Sequence, residues 1–221
     1  MKALNKLAFA VFAILLFDMQ SLAKTIEVKD KTKPTELVEI VKLDSSLKLD
    51  VRYATKDNFL GRPVYKQPKI FLQKQVAESL VQINKELKKD GYGLIIFDGY
   101  RPWSVTKIFW DETPIEKRKF VADPKFGSNH NRGCAVDLSL YDLKTGKEIK
   151  MPCEYDTFSE KAYPSYMGGT EEENKNRDFL IEKMQEGPFT VHPNEWWHYD
   201  YKDCMLYPVL DVSFEEIKYF Y

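Results

Sequence analysis

The chain has 221 residues and is 43% hydrophobic and 30% charged, which fits one globular domain and excludes an intrinsically disordered chain. Its formal net charge is −1. That leaves neither the basic footprint of a nucleic-acid binder nor a polybasic membrane patch.

The N-terminus stands apart from the rest. Lys2 and Lys6 precede an uncharged run from Leu7 to Phe17, Asp18 closes it, and Ser21-Leu22-Ala23 follows. A positive start, a short apolar run and small residues at −3 and −1 predict a secretory signal peptide over residues 1–23, cut after Ala23. The run is short for a membrane span; a retained anchor is the alternative. Residues 24–221 are then one exported domain, in a bacterium periplasmic or extracellular, with no stable membrane association after cleavage.

Residues 24–36 are Lys- and Thr-rich and read as a loose start. Residues 37–41 (LVEIV) and 47–53 (LKLDVRY) read as strands, and 54–67 as a loop. Over residues 71–89, Leu72, Val76, Leu80, Ile83 and Leu87 recur at helical spacing, and Gly91 supplies a stop signal. LIIF (94–97) is a short buried strand running into Asp98-Gly99-Tyr100-Arg101-Pro102. Residues 105–110 and 114–121 read as helical. CAVDLSLY (134–141) alternates as a strand and leads into a turn at Thr145-Gly146. Residues 171–186 form a second helix, stopped at Gly187. FTVH (189–192) and EWWHYDY (195–201) are strand pieces separated by Pro193-Asn194. No repeat interrupts this order. It predicts an α+β fold, with a small antiparallel sheet flanked by helices.

One residue in the 134–141 strand is out of place. Val136, Leu138 and Leu140 share one face, while Ala135, Asp137 and Ser139 share the other. The second face is small and polar around one carboxylate. A buried unpaired carboxylate is very costly, so Asp137 needs a cation, strong donors or a metal. Otherwise it sits solvated on a half-exposed strand. Two of the chain's three histidines offer partners. His130 lies in a Gly- and Asn-rich loop, and His198 closes Glu195-Trp196-Trp197-His198. His130, Asp137 and His198 together are three N/O donors, a set suited to a catalytic zinc with one open position. Glu195 suits the general base. On an ideal strand Glu195 and His198, three apart, face opposite ways. They share a site only if the backbone turns or bulges near residues 194–196.

Arg101, at the end of the DGYRP turn, suits an oxyanion-stabilising role or an ion pair with Asp98. His192 reads as outside the ligand set, since a fourth protein ligand would close the site. Cys134 lies four residues after His130, but its alternation directs it to the core and not to a nucleophilic pair. The three cysteines leave an odd thiol. Cys153–Cys204 is the favoured disulfide, and no C-x-x-C suggests structural zinc. The chain carries no G-x-S-x-G, P-loop, G-x-G-x-x-G or H-E-x-x-H motif.

Taken together, DGYRP, the S-x-H-x6-D arrangement of Ser128, His130 and Asp137, and the E-x-x-H of Glu195 and His198 resemble the zinc D-alanyl-D-alanine dipeptidases of the VanX type. These belong to the wider D,D-carboxypeptidase-like metallopeptidases. Residues 51–65, Tyr155-Asp156-Thr157-Phe158, and Asn176-Arg177 with Met184 resemble further segments, so the likeness runs over about residues 40–202. It implies one Zn2+ per chain on His130, Asp137 and His198, in a cleft on the sheet. It implies Glu195 as the base that passes a proton to the leaving amine, and Arg101 at the tetrahedral intermediate. Ser128 and Asp156 would bind the free amino group of a small dipeptide, with no protein partner required. Cys134 departs from the expected small residue and is expected simply to pack. Residues 163–166 depart from a His-containing segment, which leaves strict dipeptide preference open. The expected function is hydrolysis of D-Ala-D-Ala in cell-wall metabolism. The rivals are a D,D- or L,D-carboxypeptidase acting on peptidoglycan stems, and a wall-binding module that has lost activity.

Overall fold

The computed structural model describes residues 33–217; the predicted leader lies outside the described residues. In chain order the elements are Leu37–Glu39 (β1), Lys48–Leu49 (β2), Phe71–Gln73 (β3), Lys74–Leu87 (α1), Tyr92–Asp98 (β4) and Trp103–Glu112 (α2). Ala135–Asp142 (β5), Glu171–Glu186 (α3), Phe189–His192 (β6), Glu195–Tyr201 (β7) and Phe214–Ile217 (α4) follow. β1 pairs with β3, and the main sheet has the order β2-β4-β5-β7-β6. The class is α+β, as expected. The sheet is not wholly antiparallel, because β2 runs parallel to β4. The connection between them contains α1, which carries the chain back to the same end of the sheet, as a parallel pair requires.

Tertiary pairing overrides local pattern in three places. Residues 71–89 do not form one helix: Phe71, Leu72 and Gln73 pair with β1 instead. The Gln73 side chain fixes that pairing by accepting from the Glu36 N–H and donating to the Arg132 carbonyl. The strand expected over 47–53 shrinks to Lys48–Leu49, and Arg52–Ala54 turns as a 3-10 segment that buries Tyr53. Residues 114–121 are also 3-10, over Ile115–Phe120. α3 has the expected bounds, with its start fixed by a capping box between Thr170 and Glu173.

The apolar stripe of α1 (Val76, Ala77, Leu80, Ile83 and Leu87) is buried, as are Leu94 and Ile96 of β4 and Val136, Leu138 and Leu140 of β5. One continuous core joins them to Leu180 and Met184 of α3. Each such aliphatic side chain contributes roughly 1.5–3 kcal/mol of burial free energy. Ala135, Asp137 and Ser139, on the other face of β5, are buried as well. β5 is therefore covered on both sides, and the solvated reading of Asp137 does not hold.

The disulfide is Cys134–Cys204, not Cys153–Cys204, so Cys134 does more than pack. The sheet explains the pairing. Ala135 lies opposite Asp200, and the Tyr201 N–H donates to the Cys134 carbonyl at 2.9 Å. The chain leaving β7 therefore returns beside Cys134. Cys153 lies elsewhere, its sulfur accepting from the Trp196 indole N–H, and it is the free thiol. The bridge spans 70 residues, for which the chain-entropy relation gives at most about 4 kcal/mol. Cys204→Ser should lower the guanidinium unfolding midpoint accordingly under non-reducing conditions, whereas Cys153→Ser should leave it nearly unchanged. Equal midpoints for Cys204→Ser and the unmodified protein would reject the bridge as a stabilising element.

Candidate active site

Two loops and two adjacent strands supply the site. The first loop follows β4. Gly99 has no room for a side chain: a Cβ there would lie 2.8 Å from both the Ile70 side chain and the Phe71 carbonyl oxygen. The second loop carries His130 on a 3-10 turn, His130–Arg132, ended by Gly133 at φ 67°. That left-handed conformation favours glycine, and a Cβ would come 2.5 Å from Leu37. Asn131, fully buried, ties the loops together. Its amide donates to the Arg101 carbonyl and the Thr106 hydroxyl, both at 2.8 Å, and its oxygen accepts from the Ser128 N–H at 2.7 Å.

β5 and β7 bring in the rest. Asp137 stands directly opposite His198 across the ladder. The β6–β7 register jumps from Val191↔Tyr199 to His192↔Glu195. Residues 196, 197 and 198 of β7 consequently have no counterpart in β6. This is the irregularity that the Glu195–His198 spacing required, because a bulge re-aims side chains. The Glu195 carboxylate lies 3.7 Å from His198 Nδ1.

Three donor atoms converge. His130 Nε2 is 3.1 Å from His198 Nδ1, His198 Nδ1 is 3.1 Å from Asp137 Oδ1, and His130 Nε2 is 3.3 Å from the same Asp137 oxygen. The outer ring nitrogens are occupied. His130 Nδ1 faces the Gly99 carbonyl at 2.7 Å, and His198 Nε2 faces Asp200 Oδ1 at 3.0 Å. If each outer nitrogen donates, both inner nitrogens present lone pairs to each other and to a carboxylate oxygen. Such a set is repulsive until a cation sits among it. A tetrahedral ion with bonds of about 2.0–2.1 Å holds its ligand atoms about 3.3 Å apart, so the donor set fits a metal. Among the described residues, His130, Asp137 and His198 are the one such group.

The electrostatics follow from burial and pairing. Burial acts to raise the Asp137 carboxyl, but His130 and His198 outweigh it and hold it well below the usual carboxylate range. The Tyr155 hydroxyl donates to the second Asp137 oxygen at 3.0 Å. Burial opposes the positive charge on His198, yet ring N–H groups donating to the Asp137 and Asp200 carboxylates raise its pKa well above the ordinary value, so without an ion a proton takes the place of the metal between His198 and Asp137. Burial pushes Glu195 up to about 7 and, with His198, lowers His192 to about 4. Arg101 donates through Nε and Nη2 to Asp98, at 2.9 and 2.7 Å. The expected ion pair with Asp98 is therefore present, and Arg101 still lines the site.

These groups surround a cavity of about 350 Å3 whose walls include Arg101, Ser128, Glu195, Trp197 and all three histidines. His192 is thus at the cavity and not on plain surface. Asp156 is not among the lining residues. Its carboxylate accepts from the Tyr53 hydroxyl at 2.7 Å, and Tyr53 lines the cavity. Asp156 holds a left-handed φ of 64°, unusual for a non-glycine residue and a frequent companion of functional sites. Burial pushes its carboxyl up to about 7 against the Tyr53 hydrogen bond. Asp200, Tyr155 and the Gly99 carbonyl had no assigned role in the sequence. Asp200 was within reach, since two residues along a strand means the same face as His198.

Comparison with known proteins gives a consistent picture. The family model Peptidase_M15, D-ala-D-ala dipeptidase, matches residues 33–217. The D-alanyl-D-alanine dipeptidase of Escherichia coli (strain K12) is 31% identical over 180 residues, covering 81% of this chain and 92% of that protein. The D-alanyl-D-alanine dipeptidase of Enterococcus faecium is 34% identical over 190 residues, covering 76% and 91%. Among solved structures, the LdcB LD-carboxypeptidase is similar with a TM-score of 0.46 at 20% identity, covering 78% of this chain and 70% of that one.

The Asp200 contact makes a test that needs no substrate. Loss of a carboxylate that orients a ligating imidazole typically weakens metal binding 10–100-fold. Asp200→Ala should do so in competition with a chromogenic chelator, and Asp200→Asn less. Unchanged affinity would remove Asp200 from the support of His198.

Proposed function

The chain belongs to the Peptidase_M15 family of D-Ala-D-Ala dipeptidases, and from that membership we propose that it hydrolyses the D-alanyl-D-alanine dipeptide using one zinc ion held by His130, Asp137 and His198. The observation that carries this reading is the triangle of three donor atoms with a second acid, Glu195, beside it and outside it. Zinc bound there supplies Lewis acidity toward the scissile carbonyl and lowers the pKa of water. Two imidazole nitrogens and one carboxylate oxygen suit zinc among divalent ions.

The chain's own residues divide the remaining work. Glu195, beside His198 and outside the donor triangle, takes a proton from the attacking water and returns it to the leaving nitrogen. Arg101 lines the cavity and is held in place by Asp98 through Nε and Nη2, which suits its guanidinium to the oxygen that gains negative charge. Ser128 and the Tyr53 hydroxyl oxygen, both at the cavity wall, receive the substrate ammonium, and Asp156 supports it from behind through the Tyr53 hydroxyl. The charged N-terminal leader and the Cys134–Cys204 bridge support export to an oxidising compartment, since such bonds persist there. In a bacterium that is the periplasm, where the dipeptide comes from wall turnover.

The experiment compares release of alanine from D-Ala-D-Ala and from an N-acylated D-Ala-D-Ala peptide by the zinc-loaded enzyme. Cleavage of the free dipeptide alone supports the reading; efficient cleavage of the acylated peptide moves the assignment to a carboxypeptidase. Glu195→Gln should lower kcat by roughly 10²–10⁴-fold with zinc content unchanged. Asp156→Ala should lower kcat/KM for the free dipeptide by roughly three- to tenfold, the scale of one lost hydrogen bond, by releasing the Tyr53 hydroxyl. Full turnover by Glu195→Gln would refute the mechanism.

A further inference from the structure

The cavity is lined by three carboxylates, from Asp137, Glu195 and Asp200, and by two permanent cations, Arg101 and Lys119. The acids are engaged: Asp137 lies within 3.1–3.3 Å of both ligand histidines, Asp200 3.0 Å from His198, and Glu195 3.7 Å from His198. Arg101 is engaged as well, by Asp98. Lys119 is different. Among the described residues it has no carboxylate partner, and its Nζ lies 4.9 Å from the centroid of the Phe120 ring. It sits at the end of the 3-10 segment Ile115–Phe120, and the adjoining Phe120, Val121 and Ala122 line the same wall. Phe120 is itself fixed by stacking on Phe158 at 5.5 Å.

A dipeptide brings one carboxylate of its own, on the residue that leaves. Entering a cavity rich in acids, that group needs a cation with no prior partner. Arg101 is held by Asp98 and already assigned to the oxygen that gains negative charge, and the donor triangle is the metal's. We propose that Lys119 binds the terminal carboxylate of the substrate and so determines the preference for a free C-terminus. The ring beneath Nζ holds the ammonium near the wall without neutralising it, as a cation over an aromatic face is held weakly. This assignment rests on the peptidase reading above. It adds a specificity residue and leaves the chemistry of the bond cleavage as described.

The test crosses two substrates with two side chains. D-Ala-D-Ala and its C-terminal amide, which lacks the carboxylate charge, are compared on the zinc-loaded unmodified enzyme, Lys119→Met and Lys119→Arg. Lys119→Met should raise KM for the free acid roughly five- to tenfold with little change in kcat, the range for a partly exposed charge pair. The amide should change by less than twofold, so the preference for the acid collapses. Lys119→Arg should keep most of it. Added salt should weaken the acid preference of the unmodified enzyme and not that of Lys119→Met. An acid preference that survives in Lys119→Met, or equal losses on acid and amide, would overturn the assignment alone. If the unmodified enzyme cleaves neither substrate, the dipeptidase reading falls and the assignment with it.

Discussion

Two imidazole nitrogens and a carboxylate oxygen, each presenting electron density to the others at 3.1–3.3 Å, are the constraint on which the rest of the molecule depends. With both imidazoles neutral and nothing positive among them, these atoms would separate. They are held together because each ligand is gripped from behind, His130 by the Gly99 carbonyl, His198 by Asp200 and Asp137 by Tyr155. The protein thus invests hydrogen bonds in an arrangement that becomes favourable only with a cation present. This is preorganisation: the ligands need little rearrangement to receive the ion.

The sheet makes such a grip possible. β5 sits between β4 and β7, so the loop after β4, the central Asp137 and the β7 ligand all meet at one end. Asn131 then ties the His130 loop to the Arg101 carbonyl and to Thr106 of α2, and closes its own loop on the Ser128 N–H. The bulge in β7 lets Glu195 and His198, three residues apart, turn toward one cavity. Regular pairing would have sent Glu195 to the other face.

Much of this was legible in the sequence, and the exceptions have physical causes. Asp137 announced itself because a carboxylate in an apolar strand is expensive, and His130, His198, Glu195 and Arg101 all prove to share its cavity. Helix α3 was legible to the residue because Gly187 marks its end, and the structure adds the Thr170–Glu173 capping box at its start. What local pattern could not supply was partner choice. Residues 71–73 continue the periodicity of α1, yet they pair with β1, because strand pairing is decided by chain far away in sequence. The parallel direction of β2 and the choice of Cys134 as the partner of Cys204 depend on the same long-range register. Asp156 was legible as a candidate, but its position behind Tyr53, outside the cavity wall, was not.

The Cys134–Cys204 bond also closes a covalent ring in the chain. Asp137, Asp156, Glu195 and His198 all lie inside it. The ring includes an exposed turn over residues 143–148, the kind of loop tip where proteases cut. A single cut there would leave both pieces joined through sulfur, with β5 still paired to β7 and Asp137 still opposite His198. Outside a cell, the bridge would therefore turn a break in the backbone into a nick within one molecule, whose separate parts appear only when the disulfide is reduced.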